Sequence, residues 1–389
     1  MHMAQITVSP EQAVDAQTLT PIRAIDPHLV LVFGPTARFR NSQLADALAL
    51  ALPDSLRMGC SSSGQIDGLS VLDHETVITG VRFREAALAL RSERVADSAD
   101  SAPAGRRLAR QLAGTGLHTL VILACGVDIN GSALIAGLAS ELGDGVKLVG
   151  GLAGDDGAFE RTFTMCGVTI SDREVVALAI CSESIAVAHG TFGGWEPFGL
   201  ARRITRCEGN LLFALDDEPA LAIYERYLGS HAADLPASGL LFPLSVMDPD
   251  QKPMGLTRTI LGIDRERGAL LLAGDLPSDG YVQLMHASTD QLVTGAETAA
   301  QATRARLAAD TPGLALLVSC IGRKLVMGTR TDEEVEAVVD ILPAGSRIAG
   351  GRVIATPGVR PASSATVAIG AAAMTSRRWA GSASGRALL

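Results

Sequence analysis

A weak internal repeat constrains this chain more than any other feature of its sequence. Each copy has an apolar run, a polar loop, an amphipathic helical segment, a second short run and a glycine-rich turn. The copies span residues 29–64, 119–157 and 314–358. Their opening runs are short and continuously apolar, which is typical of strands buried on both faces. Because strand–helix–strand connections of this length favour a right-handed parallel crossover, each copy predicts a β-α-β unit.

The helical segments of the units carry apolar residues at helical spacing. They are predicted over Asn41–Leu52, Asn130–Leu142 and Thr331–Leu342. Asn130 is expected to be an N-cap, and Thr331 followed by Glu334 predicts a capping box. Alternating or apolar runs between the units indicate antiparallel strands. The sequence therefore predicts an α/β fold with mixed, largely parallel sheets and helices on their faces.

The 389 residues predict two domains, at roughly 100–200 residues per domain. We place the N-terminal domain at 29–228 and the C-terminal domain at 237–373, because the segment between them is polar and punctuated by Gly and Pro. A flexible tail is expected at 374–389. The segment Asn210–Leu228 is interpreted as helical, with a new start near Glu218 because Pro219 lies inside it.

Composition excludes several classes of protein. The chain has 33 Lys and Arg against 42 Asp and Glu, a net charge of −9, whereas nucleic-acid binding needs an excess of cations. Its apolar runs are far shorter than the roughly 20 residues that span a bilayer, and we see no signal peptide. Six Cys spread over the whole length do not form a disulfide framework. We therefore expect a reduced, cytoplasmic protein that binds neither nucleic acid nor membrane.

Four motifs then occur in a fixed order. They are GCSSSGQIDG (59–68), GGLAGDDGAFERTF (150–163), WEPF (195–198) and LLVSCIGRKLVMGTRTDEEVEAV (316–338). In this order they resemble the FIST family of intracellular signal-transduction sensors, which carry a FIST N and a FIST C domain. The resemblance covers nearly the whole chain and implies a small-ligand sensor rather than an enzyme.

The resemblance also implies a cofactor and partners. One branch of the family binds haem and senses nitric oxide, and signals to a histidine kinase or a cyclic-dinucleotide enzyme. This sequence has no kinase or other output segment of its own, so its output is expected to pass through such a partner. Whether the chain forms a homodimer is left open.

Two positions depart from the family pattern. Gln65 stands where a Glu often follows the GCSxxG motif, and the stretch Gly350–Pro357 lacks the aromatic residues and the Glu usual there. Both changes remove a carboxylate from a predicted loop. The ligand of this chain is therefore expected to differ from that of relatives that keep these acids, or to be absent.

Ligands of α/β sheets lie at the carboxyl ends of the parallel strands, where the glycine-rich turns of this chain follow. Backbone N–H groups, hydroxyls, paired carboxylates and a guanidinium there suit a small polar ligand. The candidate ligand-binding residues are Cys60, Ser61, Ser62, Gly151, Asp155, Asp156 and Arg323. The alternative is that these residues form plain tight turns, caps and solvated surface.

Haem needs one axial side chain in an apolar pocket. His286 is the candidate, because it stands beside Met285 where an apolar run passes into a helix; His189 and His231 are weaker candidates. The seven His show no paired spacing typical of zinc.

Three further functions stay open. A hydrolase or transferase would use Cys60 or Ser61 as the nucleophile, although neither a Gly-x-Ser-x-Gly elbow nor a Cys/His signature is present. A sensor without haem would bind an amino acid. A scaffold without any ligand would explain the missing acids.

Overall fold

The computed structural model describes residues 1–85, 87–114, 116–182, 185–307, 312–353 and 365–372. The predicted tail at 374–389 and residues 354–364, which include the end of the third unit, lie outside the described residues.

Strands outnumber helices along the described part of the chain. The strands are β1 (His2–Val8), β2 (Leu29–Gly34), β3 (Leu56–Ser61), β4 (Gln65–Asp67), β5 (Ser70–Leu72), β6 (Thr76–Arg82), β7 (Leu88–Arg94), β8 (Thr119–Ala124), β9 (Lys147–Leu152), β10 (Thr164–Cys166), β11 (Thr169–Ser171), β12 (Glu174–Ile180), β13 (Ile185–Phe192), β14 (Glu196–Pro197), β15 (Arg202–Glu208), β16 (Leu211–Leu215), β17 (Glu218–Pro219), β18 (Leu244–Met247), β19 (Pro253–Arg258), β20 (Ile260–Asp264), β21 (Ala269–Leu272), β22 (Tyr281–His286), β23 (Leu314–Cys320), β24 (Arg347–Val353) and β25 (Ala365–Ala372). The helices are α1 (Thr20–Arg23), α2 (Gln43–Ala51), α3 (Ser101–Gln111), α4 (Gly131–Leu142), α5 (Ala220–Leu228), α6 (Thr289–Arg304), α7 (Ile321–Met327) and α8 (Asp332–Ile341).

The three units form three sheets that share one topology. Their strand orders are β1-β6-β2-β3, β7-β12-β8-β9 and β13-β25-β23-β24. In each sheet the last two strands are parallel and are connected through α2, α4 or α7 and α8, while the first two are antiparallel to their neighbours. The mixed α/β fold built from β-α-β units is thereby confirmed. Parallel pairing is confined to these three strand pairs among the described residues, because the strands between the units return by antiparallel pairing.

Three glycines occupy equivalent positions in the parallel pairs. A Cβ at Gly59, Gly150 or Gly350 would lie 2.4, 1.8 or 1.9 Å from a carbonyl oxygen of the opposite parallel strand. Only glycine allows this close approach of the two backbones. The same constraint in all three units supports a true repeat and sets the alignment between them.

Hairpins and strands pass from one unit to another. The β4–β5 hairpin follows β3 but pairs with β24, through Gln65 opposite Gly351. The β10–β11 hairpin follows β9 but pairs with β3, with Thr164 opposite Cys60. Strand β13 lies in the predicted N-terminal domain, yet it pairs with β25. The N-terminal and C-terminal parts of the chain therefore share hydrogen-bonded sheets.

The three sheets enclose one apolar core, which we call the central core. Hydrogen bonds cross from sheet to sheet, from Lys147 Nζ to Val187 O at 2.7 Å and from Gln5 Nε2 to Ile348 O at 2.8 Å. Residues of all three sheets face this core, including Leu31, Phe33, Val121, Leu123, Leu316 and Val318. Helices cover the outer faces through Leu44 and Leu48 on α2, Leu134 and Leu138 on α4, and Val335 and Val338 on α8.

A further antiparallel sheet is inserted between β13 and α6. Its order is β19-β18-β22-β15-β16-β21-β20, with β14 beside β22 and β17 beside β16. It packs with α5 around its own core, which includes Leu212, Tyr224 and Val246.

The interpretation of Asn210–Leu228 as helical is wrong for its first half. Strand β16 occupies Leu211–Leu215 and pairs with β15 and β21, and α5 begins only after Pro219. A short continuous apolar run fits a buried strand as well as a helix, and the pairing partners on both sides decide between them. Among the described helices, none is long and apolar enough to cross a bilayer.

Candidate functional site

The glycine-rich ends of the parallel strands meet at one end of the central core. Gly154 N donates a hydrogen bond to Ser61 O at 2.9 Å, and Ser61 Oγ donates one to Gly154 O at 2.8 Å. Ser63 N donates to Arg352 O at 2.7 Å. The ends of the three parallel strand pairs therefore lie close together. The described residues of the three ends bind one another directly, so no ligand is needed to connect them.

The predicted ligand-binding residues of the first turn are buried. Cys60 lies in the central core, and burial raises the pKa of its thiol to about 12. The Ser61 hydroxyl accepts a hydrogen bond from Phe163 N at 2.9 Å in addition to its bond to Gly154. Ser62 accepts hydrogen bonds from the Gln65 side chain. A buried neutral thiol does not provide an activated nucleophile, and neither does a hydroxyl that is engaged in two hydrogen bonds.

The second turn is held by its own aspartate. Gly151 lies within β9 opposite Leu123. The Asp155 carboxylate accepts hydrogen bonds from the backbone N–H groups of Phe159, Glu160 and Arg161 at 2.8–3.2 Å. This is the behaviour of a loop cap. Asp155 therefore stabilises the loop that it begins.

Asp156 lies at the surface beside a lysine of the third unit. Lys324 Nζ is 3.4 Å from Asp156 Oδ1 and 2.7 Å from Asp73 Oδ1. It also donates a hydrogen bond to Ser63 O at 2.8 Å. Lys324 thus connects α7 with the strand ends of both other units.

Arg323 belongs to a buried ion cluster with Glu334 and Arg352. Arg323 Nε lies 2.6 Å from Glu334 Oε1, and Arg352 Nη2 lies 2.7 Å from Glu334 Oε2; all three side chains are fully buried. Burial alone would raise the pKa of Glu334, but the two guanidinium groups outweigh it and hold that pKa below its usual range. Ser319 Oγ also donates to this carboxylate. Arg323 is therefore a structural residue and is not exposed to a ligand.

The same cluster explains why the predicted capping box at Thr331 is absent. Thr331 makes no side-chain cap hydrogen bond, and the first turn of α8 has helical geometry already at this residue. Glu334 faces the two arginines instead. A buried charge pairing outweighs the smaller stabilisation that a cap offers.

A cleft of about 400 Å³ opens beside the end of β2. It is lined by Pro10, Ala13 and Val14, by Pro35, Ala37, Arg38, Asn41, Gln43 and Leu44, and by His74 of the loop before β6. Its volume is within the roughly 300–1,000 Å³ that small-molecule sites occupy. The cleft lies at the carboxyl end of a parallel strand, where α/β sheets usually bind ligands.

Both polar and apolar side chains line this cleft. Arg38, Asn41, Gln43 and His74 line it, together with apolar residues that include Leu44. Arg38 Nη2 donates a hydrogen bond to Gln12 O at 2.9 Å, and its buried Nε has no hydrogen-bond partner. The positive charge of a guanidinium in the lining favours a carboxylate. The amides and the imidazole offer both donors and acceptors to the rest of a ligand. We refer to this site as the Arg38 cleft.

The surroundings of His286 do not fit a haem. Its side chain is exposed at the end of β22, and its ring meets Phe198 edge-on at 5.3 Å between centroids. His231 is exposed, and His189 is half-buried in β13. An axial ligand needs an enclosed apolar slot, and the described neighbours of His286 do not form one. Within the described ranges, no group of three or more His, Cys, Asp or Glu side chains is placed to hold a metal ion.

The Arg38 cleft could not be read from a motif. Its lining comes from three separate stretches, and Arg38, Asn41 and His74 lie outside every glycine-rich turn. The usable signal was positional, because Pro35 follows the first buried strand directly and α2 begins shortly after it. Sequence reasoning instead favoured the turns after the second strand of each unit.

Two family models match most of this chain. A model of the FIST N domain matches residues 28–218, and a model of the FIST C domain matches residues 220–351. An uncharacterized protein of Methanocaldococcus jannaschii is 32% identical over 84 residues, which are 21% of this chain and 15% of that protein. Among solved structures, a cyanuric acid hydrolase from A. caulinodans aligns with 96% of this chain and 99% of its own at a TM-score of 0.39 and 10% identity.

Proposed function

The chain belongs to the FIST family, whose domains are sensor domains of signal transduction, and we propose that it senses a small carboxylate-bearing metabolite, of the size of an amino acid, bound in the Arg38 cleft. The position of the Arg38 guanidinium in the lining of the cleft is the observation that carries this proposal. Apolar walls around a few polar groups support a ligand with a compact side chain.

The proposed output runs from the cleft to the last third of the chain. His74 lines the cleft, and the preceding residue, Asp73, pairs with Lys324 in α7. A ligand that moves His74 also moves this ion pair, and so changes the surface that a partner meets. The partner proposed from the family resemblance is a histidine kinase or a cyclic-dinucleotide enzyme in the cytoplasm.

Thermal unfolding of the full chain with a panel of amino acids tests the proposal. A ligand that prefers the folded state raises the unfolding temperature by mass action, at saturating concentrations by at least about 2 °C. The expected pattern is a shift with one or a few related amino acids, and a smaller shift with the same compound converted to its amide. If no carboxylate in the panel shifts the transition, the proposed ligand class is wrong.

Arg38→Met and Arg40→Met make a matched pair for this assay. Arg38 lines the cleft, whereas Arg40 is exposed and does not line it. Arg38→Met is expected to abolish the ligand-induced shift and Arg40→Met to preserve it. Because Arg38 also holds the backbone of the segment before α1, Gln43→Ala provides a second lining variant that leaves those bonds intact.

The version of the function that uses haem is tested separately. The chain is purified with haem supplied. Its absorption is recorded as purified, and again after the iron is reduced to the ferrous state and nitric oxide is added. Because His286 is exposed, we expect no Soret band that depends on it. A Soret band that is lost in His286→Ala would establish the haem version in place of the amino-acid version.

A further inference from the structure

The central core has a second opening at the end opposite to the glycine-rich turns. There, where the parallel strands begin, a cavity of about 60 Å³ is open to solvent. Every side chain that lines it is apolar, and the lining comes from all three sheets, for example from Leu29, Val121 and Leu316. We call this opening the barrel mouth. A purely apolar cavity binds water poorly, and apolar molecules fill it in its place.

The lining is arranged in layers along the axis of the three units. When the units are aligned on Gly59, Gly150 and Gly350, the residues Leu31, Val121 and Leu316 are equivalent. These three side chains line the floor of the mouth, although they belong to the central core. The lining therefore extends along the axis over two layers of side chains, and we call this passage the funnel; it suits a linear chain better than a flat ring.

Two cations stand at the rim of this funnel. Arg347 lies opposite Leu314 in the parallel ladder, so the two side chains share the inner face of the sheet. Lys147 is the equivalent residue of the second unit, and its Nζ donates a hydrogen bond to the carbonyl of Val187, a lining residue, at 2.7 Å. Both side chains are exposed at their heads. Among the described residues, neither forms an ion pair with a carboxylate.

We propose that the barrel mouth is a second binding site, which takes a medium-chain alkyl carboxylate with its methylene groups in the funnel and its carboxylate beside Lys147 and Arg347. The apolar lining supplies the affinity, since each buried methylene removes apolar surface from water. The two cations supply the preference for an anionic head. The site lies at the other end of the core from the Arg38 cleft, so it is independent of the amino-acid proposal.

Titration calorimetry of the full chain with hexanoate, octanoate and decanoate tests this proposal. Each added methylene that enters the funnel is expected to tighten Kd about fourfold, which corresponds to the transfer of one methylene from water. The alkylammonium ion of the same length is expected to bind more weakly than the carboxylate. The absence of binding, or an affinity that does not change with chain length, would overturn the proposal.

Variants at the mouth separate its two parts. Leu314→Trp blocks the funnel and is expected to abolish binding, whereas Leu50→Trp, at a fully solvated position on α2, is expected to preserve it. The double variant Lys147→Gln, Arg347→Gln is expected to weaken decanoate binding about fivefold and to leave binding of 1-decanol unchanged. Because both rim residues are exposed, this variant tests the proposal even if Leu314→Trp does not fold. Equal losses for the carboxylate and the alcohol would contradict the role of the rim.

A second copy of the chain is the competing occupant of the apolar mouth. Sedimentation of the protein with and without decanoate distinguishes the two. A monomer that binds decanoate agrees with the proposal. The proposal would be contradicted by a dimer that dissociates in the Leu314→Trp variant but is not affected by decanoate.

Discussion

Lys324 and Asp73 join distant parts of the chain at the edge of the Arg38 cleft, with 2.7 Å between Nζ and Oδ1. The residue after Asp73 is His74, which lines the cleft, and the residue before Lys324 is Arg323, which is locked into the buried ion cluster. The exposed loop before β6 therefore contacts a rigid part of α7. This pairing gives the proposed sensor a short physical route from its ligand to its C-terminal half.

We predict that Lys324→Met uncouples ligand binding from α7 without unfolding the protein. The lysine and its partner are partly exposed, so the loss of their pairing is expected to cost no more than about 1 kcal/mol of unfolding free energy. In the wild type, a bound amino acid is expected to slow hydrogen exchange in α7. Exchange measured by mass spectrometry is expected to show no such slowing in the variant, and protection of α7 that survives the substitution would contradict the route.

We predict that Glu334→Gln strongly destabilises the fold. It leaves the buried guanidinium groups of Arg323 and Arg352 without their counter-charge, which typically costs about 3–5 kcal/mol. Urea unfolding measures the loss, and Glu336→Gln at an exposed position of the same helix is the control. Ser319→Ala, which removes one hydrogen bond to the same carboxylate, is expected to cost about 1–2 kcal/mol. A change below about 1 kcal/mol for Glu334→Gln would show that the cluster is not buried in solution.

We predict that the unfolding free energy falls in weak acid because His189 takes up a proton more readily in the unfolded chain. Burial, followed by the positive charges of Arg306 and Lys147, lowers the pKa of His189. The folded protein then keeps this side chain neutral at a pH where the unfolded chain binds a proton, so stability declines as pH falls below about 6.5. His189→Gln is expected to flatten the dependence of unfolding free energy on pH between about 6.5 and 5. An unchanged slope would contradict the assignment.

We predict that Cys60 is among the least reactive thiols of the folded protein. Its pKa of about 12 makes the thiolate about a thousandfold rarer than at the ordinary value of 9.0. Iodoacetamide near neutral pH is expected to label Cys166, Cys181 and Cys207 first, because all three are partly exposed. Peptide mapping of the labelled protein reads this order directly. Labelling of Cys60 ahead of the other five would revive the hydrolase or transferase alternative.

The repeated units show what local pattern can predict. The buried strands, their helices and the glycine-rich turns after them all follow from runs and spacings within single units. The contacts between the turns do not follow, because they depend on which units lie side by side. Arg352 comes to lie against Ser63 of the first unit only when the sheets close around one core.

The candidate site also shows what the sequence cannot predict. Residues such as Asp155 and Arg323 have the chemistry of a binding site, but their partners are backbone groups and a buried carboxylate of the protein itself. Arg38 is unremarkable in the sequence and becomes significant because tertiary structure places it in the lining of a cleft. A guanidinium's partners are set by packing and cannot be inferred from spacing.

Titration calorimetry of Ala13→Trp and Ala16→Trp, with the amino acid that most raises the unfolding temperature, tests the central claim most directly. Both alanines are exposed in the same segment, but only Ala13 lines the Arg38 cleft. The account predicts that the indole at position 13 fills the cleft and abolishes the binding heat, whereas Ala16→Trp binds like the wild type. Undiminished binding by Ala13→Trp would contradict the assignment of the ligand to this cleft.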